Sequence, residues 1–165
     1  MKTPKLFIFA ALAVLFAACN SNNPSEIREF VPQVQLDEES ADCLRVIFSY
    51  EQNNKLREFA NFQPIIVRSE EELQSLCPEY LTAPKLDFAN QCLIFVPIET
   101  SSISDEWIDM QLYRIDKKRN FNAVINMFKC RECYTAIGHF YPFGLFDISP
   151  KEVSNVSHEI KYINN

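Results

Sequence analysis

Glycine and histidine are scarce in this chain of 165 residues. It contains two glycines, Gly138 and Gly144, and two histidines, His139 and His158. No Gly-rich phosphate-binding loop, no nucleophile elbow around a serine and no His-Glu-x-x-His zinc motif is present, so the usual sequence signatures of those enzyme classes are missing. Fourteen phenylalanines are present instead, and they indicate a domain packed with aromatic side chains.

Long apolar runs are also missing, except at the start of the chain. Lys2 and Lys5 are followed by an uncharged apolar run over residues 6–18. A positively charged start and a short apolar run are typical of a secretory signal. Thirteen residues are fewer than the roughly 20 that a membrane-spanning helix needs, so we expect residues 1–18 to be a cleaved signal peptide.

The end of this run resembles the lipobox of bacterial lipoproteins, in which small residues precede a cysteine. The residues are Phe16-Ala17-Ala18-Cys19. The resemblance implies that signal peptidase II cuts after Ala18 and that Cys19 carries a diacylglycerol and a further acyl chain such as palmitate. Two or more chains hold a protein at a membrane, because each buried methylene contributes about 0.8 kcal/mol. The alternative is a secreted protein cut at the same bond by the ordinary signal peptidase.

The rest of the chain is predicted to form a tether and one domain. Residues 19–30 begin with small polar and turn-forming side chains, which suits a flexible linker. Residues 31–165 are long enough for a single domain with its own core. Asn20 stands where an Asp signals inner-membrane retention in enterobacterial lipoproteins, so by resemblance we expect the outer membrane, facing the periplasm.

Excess positive charge is lacking as well. The signal removes two of the 16 basic residues and none of the 22 acidic ones, which leaves 14 against 22, a formal charge of −8. This balance argues against nucleic acid as a partner and against a basic patch for a membrane surface. The expected partners are the membrane, through the lipid anchor, and an envelope protein.

The pattern predicts an α+β fold, mostly antiparallel sheet with one short helix. The helix begins after Ser69, which forms a capping box with Glu72, and it ends before Pro78. Residues 44–50 have strand composition, and residues 56–59 are expected to pair back on them as a hairpin. The remaining predicted strands are 92–98, 107–115, 121–128, 134–137 and 144–148, with 158–163 as an edge strand or tail.

Three segments together resemble the small α+β domain of protease-complex-inhibitor-type lipoproteins and related Bacteroides lipoproteins. They are the strand and capped helix over 66–73, the Asp-Phe segment over 86–96, and the strand with its Pro-Lys over 145–151. The likeness covers about residues 64–151. It carries no catalytic residue, and protease inhibition is the function that it implies.

Cys130-Arg131-Glu132-Cys133 is the sharpest local motif. It has three interpretations: a redox pair of a thiol-disulfide oxidoreductase, part of a zinc site with His139 and His158 or Cys43, or a structural disulfide in a turn. The sequence favours the disulfide, because the envelope is oxidising and the following residues are strand-like rather than helical.

Other candidates have simpler interpretations. Cys77 ends the helix and Cys92 begins a strand, so a second disulfide between them is a weaker candidate, with Cys43 unpaired. Asp105, Glu106 and Asp109 are read as solvated carboxylates rather than as a catalytic pair, and the aromatic segment 140–146 as core rather than a binding patch. We expect no catalytic residue, no metal and no cofactor, and hence a non-catalytic binding or accessory lipoprotein.

Overall fold

The structure is a computed structural model, and it describes residues 28–49, 53, 55–56, 63–100, 106–129 and 138–163. Within these residues it has the predicted α+β class, with sheets that are mostly antiparallel. In chain order the elements are β1 (Glu29–Val31), α1 (Glu38–Ile47), β2 (Ile65–Val67), α2 (Glu70–Leu76), β3 (Cys92–Phe95), β4 (Ile98–Thr100), β5 (Glu106–Arg114), β6 (Asn120–Phe128), β7 (Gly138–Phe140), β8 (Phe143–Phe146) and β9 (Asn155–Ile163).

The described elements stack in three layers. A four-stranded sheet in the order β1-β5-β6-β9 packs against a three-stranded sheet in the order β2-β3-β8, and the helices cover the other face of the three-stranded sheet. A short two-stranded sheet joins β4 to β7. The three-stranded sheet is therefore the middle layer, buried on both faces.

Strand β3 is the central strand of the middle layer, as the apolar run over 92–98 predicts. Its side chains alternate between two cores: Cys92 and Ile94 face the four-stranded sheet, whereas Leu93 and Phe95 face the helices. All four residues are fully buried. A strand buried on both faces has no polar side to alternate with, which is why its sequence is continuously apolar.

Helix α2 confirms the helix predicted from the capping box. The Ser69 Oγ accepts a hydrogen bond from the Glu72 N–H at 3.1 Å. The Glu72 carboxylate accepts one from the Arg68 N–H at 2.7 Å, so it caps one residue earlier than in the usual reciprocal box. Leu73, Leu76 and the following residue, Cys77, are buried on one face.

Helix α1 corrects the strand predicted over residues 44–50. The Asp37 carboxylate accepts a hydrogen bond from the Ser40 N–H at 2.8 Å and caps the helix, and two glutamates occupy the first turn. Leu44, Ile47 and Phe48 then fall on one face and are buried. The N-cap and this helical spacing outweigh the strand preference of the local β-branched residues.

The hairpin predicted between residues 44–50 and 56–59 is likewise wrong in its first half. Leu56 is fully buried in a helical turn rather than a strand, and 57–59 lie outside the described residues. Asn53 is buried and donates from Nδ2 to the carbonyls of Ile47 at 2.8 Å and Leu76 at 2.7 Å. One side chain thereby satisfies the last carbonyl of each helix.

The aromatic segment 140–146 is core, as predicted. Tyr141, Phe143 and Phe146 are buried, and the Tyr141 hydroxyl donates to the Leu56 carbonyl at 3.0 Å. Gly144 lies in β8 where the two large sheets approach each other. A Cβ there would sit 2.6 Å from the Phe146 ring, so the close approach requires glycine.

The four-stranded sheet is built around the predicted hairpin of β5 and β6. Asp116 holds its turn by accepting hydrogen bonds from the Lys118 N–H at 2.7 Å and from the Asn120 side chain at 2.6 Å. Strand β9 is the predicted edge strand, and it runs parallel to β6. Strand β1 begins at Glu29, so the last two residues of the predicted tether belong to the sheet.

Candidate functional site

The cysteines that the structure describes are free thiols. They are Cys43, Cys77 and Cys92. The predicted bridge between Cys77 and Cys92 is absent, although α2 does pack over the sheet that contains β3. The reason is strand alternation: Cys77 lies in the core beneath the helices, whereas the Cys92 side chain points to the opposite face of the sheet.

These thiols are not activated. Burial raises the pKa of Cys77 to about 11 and that of Cys92 to about 12. Burial also raises the pKa of Cys43, whose Sγ donates to the Thr82 carbonyl at 3.4 Å. A thiol reacts through its thiolate, so these environments disfavour nucleophilic chemistry at all three positions.

Cys19, Cys130 and Cys133 lie outside the described residues, so the lipid attachment and the turn disulfide stay predictions. The histidines of the zinc interpretation lie on different sheets, His139 in β7 and His158 in β9. His139 faces Glu99 across the two-stranded sheet, with its Nδ1 4.0 Å from Oε2. Among the residues that the structure describes, no three metal-binding side chains are grouped around a common point.

Among the described residues, two grooves open on the helix side. The larger, of about 570 Å³, runs between α2 and residues 82–85. Gln74 lines it, but this side chain is fully engaged: Nε2 donates to the Leu81 carbonyl at 3.1 Å and Oε1 accepts from the Ala83 N–H at 2.9 Å. The smaller, of about 390 Å³, lies between residues 33–36 and α1. Both are shallow and contain little organised polar chemistry.

The most organised polar surface is the outer face of the four-stranded sheet, which we call the polar face. Its inner counterpart is the apolar layer of Met110, Leu112 and their neighbours on β6. Strand alternation and register assign the following side chains to the polar face: Phe30, Asp109, Gln111, Tyr113, Asn122, Val124, Asn126, Phe128, Ser157, Glu159, Lys161 and Ile163.

A hydrogen-bonded chain of side chains crosses the polar face. The Tyr113 hydroxyl donates to Gln111 Oε1 at 2.7 Å, and Gln111 Nε2 donates to Asp109 Oδ2 at 3.3 Å. Asn126 Nδ2 donates to the other carboxylate oxygen of Asp109 from the neighbouring strand. Each planar group is thus oriented by a hydrogen bond to the next.

The second part of the polar face is formed by β6 and β9. The Ser157 hydroxyl donates to Asn122 Oδ1 at 2.9 Å. Glu159 lies 3.3 Å from Lys161 Nζ and 3.9 Å from the Arg28 guanidinium. Val124, between these polar rows, is only 2% exposed because its neighbours close over it. In this part of the face the single carboxylate of Glu159 thus has two cationic neighbours, in contrast to the acidic excess of the chain as a whole.

Apolar side chains border this polar centre. Phe30 is 55% exposed and contacts the Tyr113 ring edge-on, with 5.7 Å between the ring centroids. Phe128 is 37% and Ile163 43% exposed on the far side. A polar centre with an exposed apolar rim is a surface that presents both directional and apolar contacts.

Sequence reasoning placed Asp109 on an exposed strand face, which the structure confirms, but it did not identify the network around it. The alternation of 107–115 and 121–128 was the signal that could have found it, because it puts Asp109, Gln111 and Asn126 on one face. The alternation fails at Ile108, where the register of β5 against β6 shifts.

Comparison with known proteins gives no assignment: no protein-family profile, no curated protein and no solved structure matches the chain. Over the part of the chain that the structure describes, none of the helices has the length and apolar character to span a membrane.

Proposed function

We propose that this protein is a lipid-anchored, non-catalytic binding protein of the cell envelope, facing the periplasm from the outer membrane, and that the polar face is its binding surface. The anchor is supported by the signal over residues 1–18 and the lipobox at Cys19. The binding surface is supported by the ordered hydrogen-bond network around Asp109. The two supports are independent, so each has its own test.

The network supports the proposal because its hydrogen bonds already hold the polar side chains of this surface in one arrangement. A solvated sheet face needs only polar side chains, but here those side chains are immobilised by one another. Binding to an immobilised surface avoids the cost of ordering rotamer-rich side chains, which is about 0.5–1.5 kcal/mol for each. Because Glu159 already has Lys161 and Arg28 beside it, the surface suits an envelope protein that presents uncharged polar groups.

The binding surface is tested by photo-crosslinking in cells. A photoreactive phenylalanine analogue replaces Phe128 on the polar face, or Tyr80, which is 73% exposed on the helix side, as a matched aromatic control. We expect a discrete adduct with a second protein from position 128 alone. The same adduct should weaken when Asp109→Ala removes the centre of the network. Equal adducts at both positions, or none at 128, would refute the proposed surface.

The anchor is tested with labelled fatty acid. Wild type should incorporate the label and partition with membranes, and Cys19→Ala should lose both properties. Equal labelling and equal partition of the two proteins would contradict the anchor. This outcome leaves the crosslinking result unaffected, because Phe128 is far from the signal in sequence.

A further inference from the structure

Strand β9 forms one edge of the four-stranded sheet, and β6 is its only partner among the described strands. The pairing is continuous along nine residues, from Asn155 opposite Asn120 to Ile163 opposite Phe128. The opposite edge, β1, is only three residues long. A long regular edge presents a row of backbone N–H and C=O groups that another strand can pair with.

This edge has few of the features that normally prevent pairing. Strand β9 contains no proline, and its register with β6 shows no bulge. Lys161 is a charge of the kind that protects edges, but Glu159 stands beside it on the same face. Addition of a strand to such an edge is a common mode of protein association.

We propose that β9 pairs antiparallel with β9 of a second copy of this chain, about a two-fold axis through Ile160, so that two four-stranded sheets become one sheet of eight strands. A two-fold contact needs a surface that is complementary to itself. The argument for this partner is the order of charges along β9, which becomes self-complementary in one register.

The register centred on Ile160 sets Glu159 opposite Lys161 of the second copy, and this pairing occurs twice. A register centred on Glu159 would set that carboxylate against itself, and one centred on Lys161 would set two ammonium groups against each other. Directly opposed side chains interact across antiparallel strands, favourably for opposite charges and unfavourably for like charges. Of these three registers, charge favours the one centred on Ile160, and only this one forms two ion pairs between copies.

The hydrogen bonding of Glu159 supports this register. Its Oε1 is buried, and neither the Lys161 nor the Arg28 contact has hydrogen-bond geometry, so among the described residues this oxygen accepts no hydrogen bond. Buried carboxylate oxygens normally have a hydrogen-bond donor. In the paired edge the second copy's Lys161 lies opposite Glu159, and a rotation of the carboxylate brings this oxygen within its reach.

The apolar side chains of β9 are also compatible with this pairing of two copies. On the inner side of the sheet, Ile160 meets its own copy and His158 meets the second copy's Tyr162. Tyr162 and Ile163 are 41% and 43% exposed in the single chain, and pairing covers part of both side chains. Backbone pairing, two ion pairs and this apolar contact together form the interface.

The test measures association of the full-length chain, purified in detergent, by sedimentation over a range of concentrations. Wild type should be dimeric, and Lys161→Glu should weaken association by an order of magnitude or more, because it sets two carboxylates against each other. The double exchange Glu159→Lys with Lys161→Glu should restore the dimer. Lys117→Glu, the same charge change in the exposed β5–β6 turn, is the matched control and should remain dimeric.

Register is tested separately by zero-length crosslinking of a mixture of unlabelled and ¹⁵N-labelled chains. A Glu159–Lys161 link between a light and a heavy chain is expected. A monomeric wild type, a double exchange that stays monomeric, a control as weak as Lys161→Glu, or links only within chains would each overturn the proposal. Loss of the dimer in Cys19→Ala would also overturn it, since association would then come from the lipid.

Discussion

The two large sheets of this protein differ in what their faces do. The three-stranded sheet is buried on both faces, between the helices and the other sheet, and β3 is apolar at every position. The four-stranded sheet buries one face and exposes an ordered polar one, and β6 alternates accordingly. The difference separates two roles: the middle sheet contributes both faces to the cores, and the outer sheet contributes one face and leaves the other to polar side chains.

The sharpest test of this division compares one phenylalanine from each sheet. Phe95 is fully buried in the core between the middle sheet and the helices, and its ring centroid lies 4.7 Å from that of Phe48. Phe95→Ala should lower the free energy of unfolding by about 3–5 kcal/mol, because it leaves a cavity. Phe128→Ala, on the polar face, should cost less than about 1 kcal/mol by denaturant unfolding. Similar losses would contradict the division.

The contact between the sheets is tested at Gly144. The added Cβ of Gly144→Ala would lie 2.6 Å from the Phe146 Cζ and 3.2 Å from the Met110 Cε. Overpacking of this kind costs typically about 1–3 kcal/mol. Phe146→Leu shortens the side chain that the new Cβ meets, so the double variant should be less destabilised than the sum of the two single variants in thermal unfolding. An unchanged midpoint for Gly144→Ala would show that the sheets are not in close contact there.

The helix layer depends partly on its caps. Ser69→Ala removes the acceptor of the Glu72 N–H and should cost on the order of 1 kcal/mol. Ser75→Ala is a control on the exposed side of the same helix, where the hydroxyl donates to a carbonyl within the helix. We expect a smaller change in the urea midpoint for Ser75→Ala, and the reverse order would contradict the cap.

The smallest expected effect is a pH dependence at the edge of the four-stranded sheet. His158 is half-buried, and burial lowers its pKa from the ordinary 6.5. The folded state therefore binds this proton less readily than the unfolded state, so stability is complete above pH 6.5 and falls as the pH drops towards the folded pKa. His158→Gln should remove this component between pH 7 and pH 5. Parallel stability curves for the two proteins would contradict it.

Local patterns predicted the elements whose sequence carries the information itself. The Ser69 cap marked the start of α2, and the alternation over 121–128 separated the two faces of β6, of which the one with Phe121, Ala123, Ile125 and Met127 lies in the core. The continuous apolar run predicted β3 as a central strand. In each case one short segment determines both the structure and the side that is buried.

Features that depend on distant residues could not be predicted in the same way. The parallel pairing of β9 with β6 depends on a connection through β7 and β8, and no local pattern encodes it. Helix α1 was missed because Val46, Ile47 and Phe48 suit a strand, while the cap at Asp37 lay outside the segment considered. The predicted disulfide between Cys77 and Cys92 was wrong because the local sequence does not show which side of β3 the helices cover. The Cys92 side chain points to the side away from them.

The four-stranded sheet also has a consequence for how the chain folds. Its central hairpin, β5 and β6, is local in sequence. Its two flanking strands, β1 and β9, are the first and the last strands of the described chain, so the sheet is complete only when both have paired. Contacts of such large sequence separation form slowly. A nascent chain that ends before Asn155 leaves the edge of β6 open, and open edges in incomplete chains promote aggregation. Complete synthesis is thus a condition for closing this sheet.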